Sequence, residues 1–260
     1  MSLVAPAIRS SFVASLNPLS KFAVALVIGV VLVLSIDLVS AGIVVAAILV
    51  VLPWSGLSAR QLALRTWPLA LSAVLAAIAT ALYGVDAGAT VVALGPITVT
   101  EGSLQLAAAI FLRVLAVAVP AVVLFATTDP TDLADALAQR LRLPARFVLG
   151  ALAGLRMVGL LVEDWRALEL ARRARGVAER GRARRLLSQS FTLLVFAIRR
   201  GGKLATAMEA RGFGGSGRRT WARPSRFRLR DAVFVVVGVA LVGVAVGTAV
   251  AVGAWNPVLG

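Results

Sequence analysis

From Ala232 to Val252 the chain carries no charged residue, and Leu38 to Leu52 is equally charge-free. Helical runs of this kind match the hydrocarbon core of a bilayer, which takes about 20 apolar residues to cross. Only 15% of the residues are charged and 60% are hydrophobic. A soluble domain carries about 25% charged and 45–50% apolar residues. The chain is therefore predicted to be an all-α integral membrane protein.

Five spans are predicted: Phe22–Ile36, Leu38–Leu52, Gln61–Tyr83, Ser103–Thr127 and Ala232–Val252. The first two are read as short spans joined by a tight turn at Asp37. A single helix through both would overrun a core of about 30 Å at about 1.5 Å per residue. Pro68 should bend the third span, which membrane helices tolerate. Between the third and fourth, Thr90–Leu94 and Ile97–Thr100 flank Gly95-Pro96 as a short hairpin. Arg9 is followed by Ser10, Ser11, Asn17 and Pro18, and no small-residue cleavage site follows the first run, so no removable leader is expected.

The basic residues orient the spans. Arg9 and Lys21 precede the first, Arg60 and Arg65 lie between the second and third, and a large basic block lies between the fourth and fifth. The turn at Asp37, the loop holding Asp86 and Glu101, and the tail after Val252 have no Lys or Arg. The positive-inside rule then puts the N-terminus and the basic block in the cytoplasm and the C-terminus outside. This predicts a membrane region over 1–127 with four spans, a basic cytoplasmic region over 128–230, and a final span within 231–260.

The net charge of +15 is concentrated in that block, where Thr127–Arg230 holds 22 of the 27 Lys+Arg. Such a block suits anionic lipid, nucleic acid or an acidic protein groove. Aromatic residues that would stack bases are sparse there, so nucleic acid is not expected as a partner. Arg218, Arg219, Arg223, Arg226, Arg228 and Arg230 precede the last span and are expected to meet anionic headgroups. There is no Cys and no His. Thiolate and imidazole chemistry and Cys/His metal sites are excluded, and no cofactor or metal is predicted. An intramembrane hydrolase is disfavoured because Ser35, Ser72 and Thr80 have no base beside them.

Within the block, Thr127-Thr128-Asp129-Pro130 marks a helix start, with Pro at the first helical position. Pro144 interrupts, and a new helix begins near Ala145. It is almost wholly apolar from Phe147 to Leu161, then amphipathic, with Leu155, Val158, Val162, Trp165 and Leu168 at helical spacing. A second amphipathic helix is predicted from Leu186 to Arg211, its apolar face made by Phe191, Leu194, Val195, Ile198, Ala205 and Met208. Gly201-Gly202 should bend it or permit close packing.

Both helices end on the same tripeptide, Ala174-Arg175-Gly176 and Ala210-Arg211-Gly212, 36 residues apart. Arg in a last turn meets the negative end of the helix dipole, and Gly beyond it allows a left-handed cap. The plain reading is two ordinary helix ends. The sharper one is a pair of guanidinium forks, each flanked by small residues that let a carboxylate-bearing surface approach.

The stretches Leu170–Gly176 and Leu204–Gly214 resemble the two coupling-helix signatures of the transmembrane T-component of energy-coupling factor (ECF) transporters. Leu16–Lys21, Thr127–Leu133 and the stretch from Leu143-Pro144 to Leu155-Arg156 resemble further segments of that family, in the same order. The resemblance implies a non-catalytic scaffold subunit with two ABC-type ATPases and a substrate-binding S-component as partners. It implies that Arg175 docks on one ATPase and Arg211 on the other. It implies that the apolar faces Leu155–Leu168 and Phe191–Met208 pack on each other and on the S-component, and that the cargo is a vitamin or a metal ion. The competing reading is a membrane-tethered basic protein that binds anionic lipid or nucleic acid.

Two features stand apart. Gly212–Thr220 approaches a phosphate-binding loop but lacks the Gly-Lys-Ser/Thr ending and a preceding strand, so ATP binding is expected in other subunits. Arg113 lies inside the fourth span, where a charge is expensive. It either faces a polar gap or anchors a contact with another helix or the S-component.

Overall fold

A computed structural model describes residues 11–84, 87–94, 97–176, 181–215 and 220–256. These residues form eight α-helices, one 3-10 turn at Leu52–Ser55 and one β-hairpin, with their connections. The helices are α1 (Pro18–Leu34), α2 (Leu38–Val51), α3 (Ala59–Tyr83), α4 (Glu101–Thr127), α5 (Pro130–Gln139), α6 (Ala145–Ala174), α7 (Arg182–Ala210) and α8 (Leu229–Ala251). The hairpin pairs β1 (Thr90–Leu94) antiparallel to β2 (Ile97–Thr100), with Leu94 opposite Ile97 and an irregularity between Thr90 and Val92. The strands fall where the sequence predicts them. Gly95-Pro96, Asp86 and residues 216–219 of the near-miss phosphate loop lie outside the described residues.

Polar side chains start the membrane helices. Asn17 accepts the Leu19 N–H and precedes Pro18 at the head of α1. Asp37 accepts the Ser40 N–H at 2.6 Å to start α2, and also takes the hydroxyls of Ser35 and Ser40. Ser58 with Gln61 and Thr100 with Ser103 form reciprocal capping boxes on α3 and α4. Each satisfies backbone donors that hydrocarbon would leave without a partner.

Among the described residues, five stretches are long and apolar enough to cross a membrane: Leu38–Ser55, Ala59–Tyr83, Glu101–Thr127, Ala145–Ala174 and Leu229–Ala251. At 17 residues α1 is a shorter apolar helix, at the lower end of the about 17–25 residues that cross a bilayer. Helix α6, apolar in its first half, is by length and composition also able to cross.

The chain divides into two compact units, Pro130–Ser225 and a larger one formed by the segments on either side. In the larger unit, Val24, Ile28 and Leu32 of α1 meet Val44, Ala116, Val242 and Ala245 from α2, α4 and α8. Here α1 packs on α8, α2 packs on α4 and α8, and α3 runs along α4. Gly238 lets α8 approach α1, because a Cβ there would lie 2.8 Å from both methyls of Val24. In the smaller unit, α5 packs on α6 and α6 on α7. The Gln139 amide clamps the segment before Arg226: its Nε2 donates to the Arg223 carbonyl at 2.7 Å, and its Oε1 accepts the Ser225 N–H at 2.8 Å.

Candidate functional site: two helix ends on an antiparallel pair

Helices α6 and α7 run antiparallel. At one end the Arg172 guanidinium donates to the Ser188 hydroxyl at 2.7 Å. Glu169 accepts from both Arg173 and Arg185 at 2.7 Å. Further along, Arg200 forks onto Asp164, with Nη1 at 2.8 Å and Nη2 at 3.4 Å. Beyond that, Met157 lies 3.9 Å from the position a Cβ would take on Gly201. From Arg172–Ser188 through Asp164–Arg200 to Met157–Gly201 the partners advance on α7 as they retreat on α6, which fixes the direction.

Gly201 thus sits at a helix contact, and α7 is continuous through Gly201-Gly202 from Arg182 to Ala210. The glycines permit approach without breaking the helix.

The antiparallel register separates the two tripeptides. The bonds around Arg172 and Ser188 set Arg175 level with the start of α7. Arg211 lies at the far end of that 29-residue helix, about 40 Å away at about 1.5 Å per residue. The two ends share one geometry. Gly176 has φ +66° and Gly212 has φ +71°, both left-handed. The Gly176 N–H donates to the Arg173 carbonyl at 3.1 Å, and the Gly212 N–H to the Glu209 carbonyl at 2.8 Å. At the second end the Phe213 N–H returns to Met208 at 2.9 Å, completing a Schellman stop.

Ala174, Arg175, Gly176, Ala210, Arg211 and Gly212 are all exposed. Nothing lies within 4 Å of a Cβ placed on either glycine. Arg172, Arg173, Arg185 and Arg200 are engaged between or along the helices. Arg175 and Arg211 have no side-chain partner among the described residues. Chemically, each end is a rigid stop presenting one free guanidinium over open backbone.

The apolar face of α7 corrects one expectation. Phe191 and Ile198 are 68% and 67% exposed, and Leu194 and Val195 are exposed beside them. The side of α7 that meets α6 is more polar, with Ser188, Arg200 and Gly201. The faces Leu155–Leu168 and Phe191–Met208 therefore do not pack on each other. Leu155 and Val158 are also exposed, while Val162, Trp165 and Leu168 are half-buried. The ion pairs win the interface because Asp164 and Glu169 meet Arg200 and Arg185 in this register. Sequence reading missed them, although acids on one helix and bases on the next are the signal.

Arg113 is placed on α4 with its Nη2 donating to the Val33 carbonyl at 2.7 Å. Val33 lies in the last turn of α1, where carbonyls lack helical partners. At the opposite end of the larger unit, Asp231 is 1% exposed and accepts the Asn17 and Arg228 N–H groups, each at 2.7 Å. Lys21 is buried there too, donating to the Thr127 carbonyl at 3.1 Å. Lys21 is legible in the sequence as an orienting charge and Asn17 as part of a resemblance, but the buried contacts of both, and of Asp231, are not.

A multi-pass helical membrane protein bearing a hairpin of two long helices with matched Arg-Gly ends defines the class. The chain belongs to the CbiQ family, described as cobalt transport protein, whose sequence profile matches residues 9–221. It is similar to the energy-coupling factor transporter transmembrane protein EcfT of Limosilactobacillus fermentum, 31% identical over 56% of this chain and 60% of that protein. The EcfT protein of Exiguobacterium sibiricum is 31% identical over 59% of this chain and 63% of its own length. A putative ABC transporter ATP-binding protein of Bifidobacterium longum is 30% identical over 59% of this chain, which covers 21% of that protein. The chain thus spans about three fifths of the length of the EcfT relatives it matches.

Proposed function

We propose that this chain is the transmembrane scaffold of an ECF-type importer in a bacterial cytoplasmic membrane. It couples two cytoplasmic ABC-type ATPases to a substrate-binding S-component, for uptake of a vitamin or a metal ion. Its N-terminus and basic unit face the cytoplasm and its C-terminus lies outside, as the distribution of Lys and Arg favours. Residues 1–127 and 231–260 form the membrane part, and 128–230 the coupling part.

One observation carries the reading: two identical exposed Arg-Gly stops at opposite ends of one antiparallel helix pair. A separation of about 40 Å suits two sockets on two subunits better than one groove. Arg175 and Arg211 supply the forks, and Ala174, Gly176, Ala210 and Gly212 keep the approach open. The ion pairs between α6 and α7 hold the two ends in register, so a change in ATPase spacing is transmitted as movement of the pair. The exposed face from Phe191 to Ile198 then offers the S-component an apolar helix surface. Resemblance of part of an ATP-binding protein to this chain agrees with ATPase partners. A chain with no His or Cys leaves metal recognition of that kind to another subunit.

The test is co-purification of ATP-binding subunits with the tagged chain from solubilised membranes. Arg175→Ala and Arg211→Ala should each weaken recovery, and the double variant should abolish it with membrane insertion intact. Undiminished recovery with the double variant defeats the proposal. A graded loss with any Arg removed, wherever it lies in the block, would favour a non-specific basic binder.

A further inference from the structure

A cavity of about 590 Å³ lies in the larger unit, between α1, α2, α4 and α8. Its size falls within the range of about 300–1,000 Å³ typical of small-ligand sites. The walls are almost wholly apolar, with Ile28, Ile48, Leu124, Val237 and Leu241 among them. The charged and hydroxyl side chains that line it, Lys21, Ser55 and Arg230, gather where α1 and α8 begin and α2 ends, beside Trp54. From Arg230 to Leu241 the lining follows α8 for about 16 Å at about 1.5 Å per residue. One leaflet of a hydrocarbon core of about 30 Å is about 15 Å deep. The cavity is thus as deep as one leaflet, apolar along its length and cationic at its mouth.

The mouth also holds an unfilled valence. Arg230 Nη2 donates to the Ser15 carbonyl at 3.0 Å, while its Nε–H is buried with no hydrogen-bond partner among the described residues. Asp231 does not supply one, since its oxygens take the Asn17 and Arg228 N–H groups. A buried guanidinium N–H calls for an acceptor, and a phosphate oxygen matches it in charge and geometry. Trp54 beside it suits the headgroup level.

We propose that this cavity is a binding site for one anionic glycerophospholipid from the leaflet on the basic side. One acyl chain fills the slot, and the phosphate accepts from Arg230 with Lys21 adding positive potential. The site is independent of the ATPase-docking reading, because none of its residues belongs to α6 or α7. Small side chains, Ala25 and Ala47, leave the room the acyl chain occupies.

The experiment uses the full chain with Trp67, Trp165, Trp221 and Trp255 replaced by Phe, leaving Trp54 as the sole indole. It is reconstituted in phosphatidylcholine vesicles containing either brominated phosphatidylglycerol or brominated phosphatidylcholine. Brominated phosphatidylglycerol should quench Trp54 with about fivefold higher apparent affinity, the preference one basic side chain gives an anionic lipid. Arg230→Gln should erase the preference while quenching by bulk lipid persists. Ala47→Phe, which fills the slot, should erase it as well. Equal quenching by the two lipids with the lining unaltered overturns the proposal. So does a preference that survives Ala47→Phe. The first comparison needs no cavity variant, so a failure of either substitution to fold leaves the test intact.

Discussion

Asp164 and Arg200 form a forked ion pair across α6 and α7, with nitrogen–oxygen distances of 2.8 and 3.4 Å. The two side chains are 24% and 39% exposed. Water therefore screens the pair, and its coupling energy should be about 0.2–1 kcal/mol. A double-mutant cycle of Asp164→Asn and Arg200→Gln, read by thermal unfolding in detergent, measures it. A coupling above about 3 kcal/mol would mean the pair is far more desolvated than its exposure allows.

The glycines of the two stops should behave as backbone requirements and not as packing ones. Gly176→Ala and Gly212→Ala meet open space but hold φ near +70°, which costs about 1–2 kcal/mol for a residue with a Cβ. Asn tolerates this region better, so Gly212→Asn should be milder. Amide exchange in the last turns of α6 and α7 reports the fraying. Equal exchange in the Ala and Asn variants would count against the cap as the cause.

Asp231 ties the start of α8 to the start of α1 through two buried N–H acceptances. Asp231→Asn leaves one N–H facing an amide donor, with an expected loss of about 1–3 kcal/mol. Asp231→Ala should cost more, since both N–H groups lose their acceptor. Unfolding midpoints in detergent provide the check, and identical midpoints for all three proteins would refute the assignment.

Gln189 predicts the opposite sign. It is 1% exposed, and neither polar atom of its amide has a hydrogen-bond partner among the described residues. Gln189→Leu keeps similar bulk and removes the unsatisfied groups, so it should stabilise by about 1–3 kcal/mol. A lower unfolding midpoint would show that the amide is satisfied after all.

Local signals carried far in this chain. Pro130 and Pro144 announced the starts of α5 and α6, Asp37 the turn between α1 and α2, and Thr90–Thr100 the hairpin. Both Arg-Gly stops were visible because capping is written within a few residues. What could not be read was pairing. Which side of α7 meets α6 depends on the antiparallel register, and that register joins Asp164 to Arg200 across 36 residues. Phe191 and Ile198 are expected against α6, but apolar spacing alone does not say what covers a face. Likewise the sequence offers Arg113 a polar gap or a contact with another helix, and does not name its acceptor, the Val33 carbonyl 80 residues away on α1.

Covalent capture tests the central claim most directly, and the absence of Cys makes it clean. Ala174→Cys and Ala210→Cys, singly and together, can carry a short photoactivatable label in the assembled complex. The account predicts one ATPase captured by each single variant and two by the double. A label on Leu49→Cys, exposed on α2, should capture none. Capture at Ala174 and Ala210 no greater than at Leu49 would contradict the account.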